Sequence, residues 1–160
     1  MRYIILPALL LTLATLSSCA QEPDLDHFYD KFKSSDALSG ELSISPSLWL
    51  SANFSGKDDW KDKISMVRLL ILDSKKAPEV VGAVEDLSRA LHKDGFDDLF
   101  LVRKGKDNIQ VLEKDLQEGK RELVLLLQGE DGNIVFVQLK GKLTNKDLEQ
   151  IQGSLNSDHH

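Results

Sequence analysis

Cys19 is the single cysteine of the chain and the nucleophile whose surroundings point to a specific reaction. It follows Leu16-Ser17-Ser18, the apolar run Tyr3 to Leu16, and a basic start at Met1-Arg2. A basic start, an apolar core and small residues before a cut are the parts of a secretory signal, whereas a spanning helix needs about 17 or more apolar residues. Leu16-Ser17-Ser18-Cys19 resembles a bacterial lipobox, in which the small residues suit a narrow peptidase cleft and the thiol takes a diacylglycerol group. That resemblance implies cleavage between Ser18 and Cys19, then acylation of the new amino terminus. An ordinary secretory cut after Ala20 also satisfies the small-x-small rule through Ser18 and Ala20. It leaves no reason for the lone cysteine to stand here, where one thiol cannot close an internal disulfide. A single acyl chain holds a protein only reversibly, while several hold it stably, so a triacylated Cys19 predicts permanent attachment. Ala20 does not resemble the aspartate that keeps some lipoproteins in the inner membrane, which favours the outer membrane.

Histidine, which titrates near neutral pH and binds metals, is the next place to look for chemistry. His159 and His160 end the chain, where fraying is the rule. His27 precedes Phe28 on the solvated side of a first helix, and His92 falls in the last turn of another, where a cation suits the helix dipole. No serine sits in a Gly-x-Ser-x-Gly turn, and no glycine cluster forms a phosphate-cradling loop. Asp58-Asp59 and Asp97-Asp98 are adjacent pairs, and adjacent residues of a strand point to opposite faces. Glu130-Asp131-Gly132-Asn133 lacks the repeated ligands and closing glutamate of a calcium loop and reads as a hairpin turn. The expectation is a protein without catalytic residues, metal site or cofactor. Trp49, Phe54 and Trp60 gather around the irregular segment 46–63, where aromatics form a protein-binding patch or close one end of a small core. The net charge is −6, and lysines alternate with acids (Lys57, Lys61 and Lys63 among Asp58, Asp59 and Asp62), so nucleic acid is not an expected partner.

These residues must be carried by a small frame. The layout expected is a signal peptide at 1–18, a lipidated tether at 19–24, one domain at 25–155 and a disordered tail at 156–160. Leu25, Phe28, Tyr29 and Phe32 repeat at helical spacing. Alternation of Leu42 and Ile44 with polar residues predicts a short strand, and Ser45-Pro46 opens one or two helical turns that bury Leu48 and Trp49. Ile64 to Leu72 is a central strand, nearly apolar in its second half. Pro78 starts a helix with Val80, Val84, Leu87 and Leu91 inward, closed at Gly95. Strands follow at Leu99–Arg103, Ile109–Glu113, Glu122–Leu127 and Ile134–Leu139, joined by short turns. Thr144 with Asp147 three residues on is a capping box for a last helix carrying Leu148, Ile151 and Leu155. Short turns between neighbouring strands imply antiparallel pairing. The fold class expected is α+β: a mainly antiparallel sheet of about six strands with helices packed on one face.

Several stretches together resemble a known family. They are Phe28 to Phe32, the strand ending Arg68-Leu69-Leu70-Ile71-Leu72, and Gly95-Phe96-Asp97-Asp98-Leu99. Val135-Phe136-Val137-Gln138-Leu139-Lys140-Gly141 with Leu143-Thr144 completes the set. The pattern is similar to the domain of unknown function 4252 family, small envelope lipoproteins found chiefly in Bacteroidetes, over Leu25 to Ile151. The resemblance implies a compartment and a fold and carries no catalytic residues. The functional expectation is a membrane-tethered accessory or regulatory module that binds an envelope protein. A small-molecule or lipid carrier, or an enzyme with an unrecognised site, are the alternatives.

Overall fold

The computed structural model describes residues 25–42 and 63–157. Helix α1 spans Leu25–Phe32 and strand β1 Leu38–Leu42; after the intervening segment come β2, Ile64–Asp73, and helix α2, Glu79–Lys93. Then follow β3 (Asp97–Lys104), β4 (Asp107–Asp115), β5 (Arg121–Gln128), β6 (Asn133–Gly141) and helix α3 (Asn145–Ser157). All six strands form one antiparallel sheet in the order β1-β2-β6-β5-β4-β3. The α+β class is therefore as expected. β2 is interior, paired along its length with β6 from Ile64↔Gly141 to Asp73↔Asn133 and flanked by β1.

Cross-strand partners share a face, which divides the apolar residues into two cores. On one face Leu70, Leu72, Leu112, Val124, Leu126, Ile134 and Phe136 meet Leu25, Phe28, Tyr29 and Phe32 of α1 and Val80, Val84, Leu87 and Leu91 of α2. The rings of Phe28 and Phe136 lie 5.2 Å apart. On the opposite face Ile64, Val67, Leu123 and Leu139 meet Leu143, Leu148 and the half-buried Ile151. Placement of every helix on one face thus holds for α1 and α2 and is corrected for α3. The reason is parity: Val67 lies three positions from Leu70, and Leu139 three from Phe136, so each strand is apolar on both sides.

The crossing to that second face depends on Gly141. A Cβ there would stand 2.4 Å from the carbonyl oxygen of Lys63, to which Lys142 donates its N–H at 2.8 Å. The capping box follows at once. Thr144 donates its N–H (2.8 Å) and its hydroxyl (2.7 Å) to Asp147 Oδ2. Asp147 returns its N–H to Thr144 Oγ1 at 3.3 Å. Lys63 Nζ lies 3.0 Å from the other carboxylate oxygen, tying the start of β2 to the start of α3. Burial works to raise the pKa of Asp147, but the Thr144 hydrogen bonds and Lys63 outweigh it and hold the carboxyl below its usual range.

Other boundaries move for local reasons. β1 starts at Leu38, ahead of the expected Leu42–Ile44 alternation, because a tight turn (Leu38 N–H to Ser35 O, 3.1 Å) brings the chain into register with β2 at once. Ser39 and Gly40 hid that strand from a hydrophobic pattern, although Gly40 packs closely on Ile71. β3 and β4 are longer than predicted and meet at a two-residue turn, Gly105-Lys106, with Gly105 at φ +63°. The β5–β6 connection carries its left-handed residue at Gly132, φ +91°, as an Asp-Gly turn requires. The expected short helix after Pro46 and the side chain of Leu155 lie outside the described residues.

Candidate functional site

A cleft of about 560 Å³ opens where the second half of α2 overhangs the β3 margin of the sheet. The buried stripe Val84, Leu87 and Leu91 holds α2 down, and that rotation sets Ser88 and His92, one turn apart, facing the sheet margin. The helix ends with Gly95 at φ +87° and the Phe96 N–H returning to Leu91 O at 3.0 Å, the reversal expected at this glycine. Lys114 of β4 anchors the same corner, with Nζ 2.5 Å from Asp94 Oδ2 and 5.5 Å above the Phe96 ring.

Four residues close a ring of polar contacts there, through three side-chain links and the Ser88 backbone carbonyl. His92 Nδ1 lies 2.9 Å from Ser88 O, and its Nε2 lies 3.1 Å from Asp98 Oδ2. Gln110 donates Nε2–H to Asp98 Oδ1 at 2.7 Å, and Ser88 donates its hydroxyl to Gln110 Oε1 at 2.8 Å. Each ring nitrogen of His92 thus faces an oxygen of the fold, one a backbone carbonyl and the other a carboxylate. Ser88 likewise spends its hydroxyl on Gln110. The ring joins helix to sheet, and the cleft beside it presents Arg89, Arg103 and Lys106 with Glu85 and Asp107.

At the far end of the same face lies a second polar group. Gln138 donates Nε2–H to Glu122 Oε1 at 2.6 Å, and Lys140 Nζ stands 3.2 Å from the same oxygen. Near α1, Tyr29 donates its hydroxyl to Glu41 at 2.8 Å, and the Arg68 guanidinium bonds Asp26 while stacking over the Tyr29 ring. Burial, then the Glu41 carboxylate, push the Tyr29 phenol up to about 12.

The expected site residues are distributed unevenly. Ser18 and Cys19, the aromatic patch Trp49, Phe54 and Trp60, the Asp58-Asp59 pair, and His159 and His160 all lie outside the described residues. His27 is exposed on α1. Asp97 and Asp98 divide as a strand pair should. Asp98 opposes Leu112 on the α2 face, and Asp97 opposes Glu113 on the other. His92, read from sequence as a dipole-favoured cation, gains a carboxylate partner as well. Its spacing from Ser88 was legible as one helical turn, but Gln110 joins only through the β3–β4 register.

Among the described residues, fold and site define an α+β domain built on an antiparallel sheet, with a polar cleft at one margin and packed cores on both faces. The family model described as Domain of unknown function (DUF4252) matches residues 33–151, and the chain belongs to that family. The match begins just past α1, so the Phe28–Phe32 stretch quoted for the resemblance precedes it, while the end at Ile151 coincides. No curated protein matches the chain.

Proposed function

We propose that this chain is an envelope lipoprotein, anchored through lipid on Cys19, whose domain binds protein at the β3 margin and catalyses nothing itself. The observation that carries the binding reading is the edge of β3, which is unpaired among the described residues. Edge strands are usually blunted because their free N–H and C=O groups accept an added strand. β3 is eight residues long, holds Leu-Phe-Leu-Val at its centre, and leaves Leu101 44% exposed. The non-catalytic reading is supported by His92, whose two nitrogens are both spent inside the fold. The anchoring reading is supported by the lone cysteine at the end of a lipobox, and Ala20 after it favours the outer membrane. Scattered basic residues and a net charge of −6 favour protein over nucleic acid as the partner.

The test is crosslinking of the native protein in intact cells, followed by mass spectrometry of the adducts and of the mature amino terminus. Adducts with a defined protein and an acylated Cys19 are the results expected. A free thiol at Cys19 overturns the anchor, and recovery of uncrosslinked chain alone overturns the binding module. The cleft favours a second reading, a small polar ligand, because about 560 Å³ is within the range of small-molecule sites and Arg89, Arg103 and Lys106 face it.

A further inference from the structure

The outer edge of β3, unpaired among the described residues, carries a charge pattern that matches itself. Reading along the strand, Asp97 and Asp98 begin it and Arg103 and Lys104 end it, with Leu99-Phe100-Leu101-Val102 between. We infer that β3 pairs antiparallel with β3 of a second copy of this chain, about a twofold axis through Leu101. The inference rests on the β3 margin being a protein-binding edge and names its occupant.

The geometry is restrictive. A twofold axis perpendicular to an antiparallel sheet passes between two directly opposed residues, so it sets one residue against its own copy and keeps equal faces together. The described ladder shows which β3 residues share a face. Asp98, Leu101 and Arg103 oppose Leu112, Gln110 and Asn108 on the α2 side. Asp97, Phe100, Val102 and Lys104 oppose Glu113, Val111, Ile109 and Asp107 on the other. The irregularity between Asp98 and Phe100 makes this possible: without the extra residue there, Asp98 and Leu101 would fall on opposite faces. Counting outward from Leu101, Phe100 meets Val102 of the second copy. Asp98 then meets Arg103, and Asp97 meets Lys104. Each carboxylate finds a cation on its own face, four times in the symmetric pair.

Neighbouring registers fail this test. Centring on Phe100 sets Asp98 against Leu101 and Asp97 against Val102, and centring on Val102 sets Arg103 against Leu101. Parallel addition sets aspartate beside aspartate, where like charges repel. The hydrogen bonds agree. The two-residue turn bonds Lys104 to Asp107, so by alternation Arg103 and Leu101 turn their N–H and C=O outward. Leu101, the large hydrophobic exposed among the described residues, would then lie on the axis against its own copy. One strand pair buries less than the roughly 1,200 Å² of a stable interface, so the pairing is weak in dilute solution. Tethering both copies to one membrane supplies the effective concentration it needs.

The test uses the full chain in membranes, co-expressed with two different epitope tags, and measures co-purification after extraction in mild detergent. The native pair is expected to co-purify. Asp97→Lys in both copies, or Lys104→Asp in both copies, replaces two attractions by two repulsions and should lower recovery by on the order of tenfold. Mixing one Asp97→Lys copy with one Lys104→Asp copy restores opposite charges at both ends and should restore recovery. Both positions are exposed, so folding is not at stake. A bis-maleimide crosslink through Leu101→Cys should place the axis, and the same reagent on the parent chain reports whether Cys19 is free. Co-purification that ignores charge, or swapped variants that fail to rescue each other, overturns the inference. A crosslink from position 101 to a different envelope protein also overturns it, while leaving the protein-binding reading intact.

Discussion

Asp147→Asn isolates the charge at the junction of β2 and α3 without changing its volume. The carboxylate accepts the Thr144 N–H and hydroxyl at 2.8 and 2.7 Å and faces Lys63 at 3.0 Å, with the residue only 5% exposed. An amide oxygen in the Oδ2 place keeps both Thr144 bonds but at neutral strength, and the amide nitrogen turns a donor toward Lys63. Weakened charge-assisted bonds and an ion pair discounted for a partly exposed lysine make the loss about 1.5–3 kcal/mol. A domain of this size shifts by roughly 3–4 °C per kcal/mol, so Tm at pH 7 should fall by about 5–12 °C. The pH dependence is the sharper test. A carboxyl held below its usual range stabilises the fold above the unfolded pKa near 4 and loses that contribution as pH falls through the folded value. Calorimetry of parent and variant should therefore show a gap that is full at pH 6–7 and closes below about pH 4. An equal Tm at pH 7, or a gap unchanged at pH 2.5, would refute the reasoning.

Gly141→Ala should cost more than about 2 kcal/mol in urea unfolding, since the new methyl must displace the Lys63 backbone; a neutral result would mean that β2 and β6 part there without penalty. Phe136→Ala, at a fully buried ring between α1 and the sheet, should cost about 3–5 kcal/mol in the same assay. Tyr29 should titrate near 12 by ultraviolet absorbance, and Glu41→Gln should bring the midpoint down toward 10. Because this pKa is raised on folding, Tyr29 contributes stability that is complete below about pH 10 and lost as pH rises through 12; a parent midpoint near 10 would sink the assignment.

Local rules made much of the frame legible. The stripe Leu25, Phe28, Tyr29 and Phe32, the α2 stripe ending at Gly95, the Asp131-Gly132 turn and the Thr144–Asp147 cap each depend on neighbours within a few residues. Their periodicity and φ requirements are written directly in residue order. The resemblance of Leu16–Cys19 to a lipobox is likewise a chain-local pattern, so the proposal for compartment stands on sequence alone. Tertiary structure decided which strands became neighbours and which face each helix covered. Strands apolar on both sides, such as β2 and β6, give periodicity no means of assigning faces, and only the packing of Leu148 on Val67, Leu123 and Leu139 places α3 opposite the other helices. The same holds for the site. Ser88, His92, Asp98 and Gln110 meet because the β3–β4 register and the seating of α2 converge on one corner. That Asp97-Asp98 and Arg103-Lys104 lie on the edge strand of the described sheet follows from the order β1-β2-β6-β5-β4-β3. Strand order is set by contacts between residues far apart in the chain, and no local pattern encodes it.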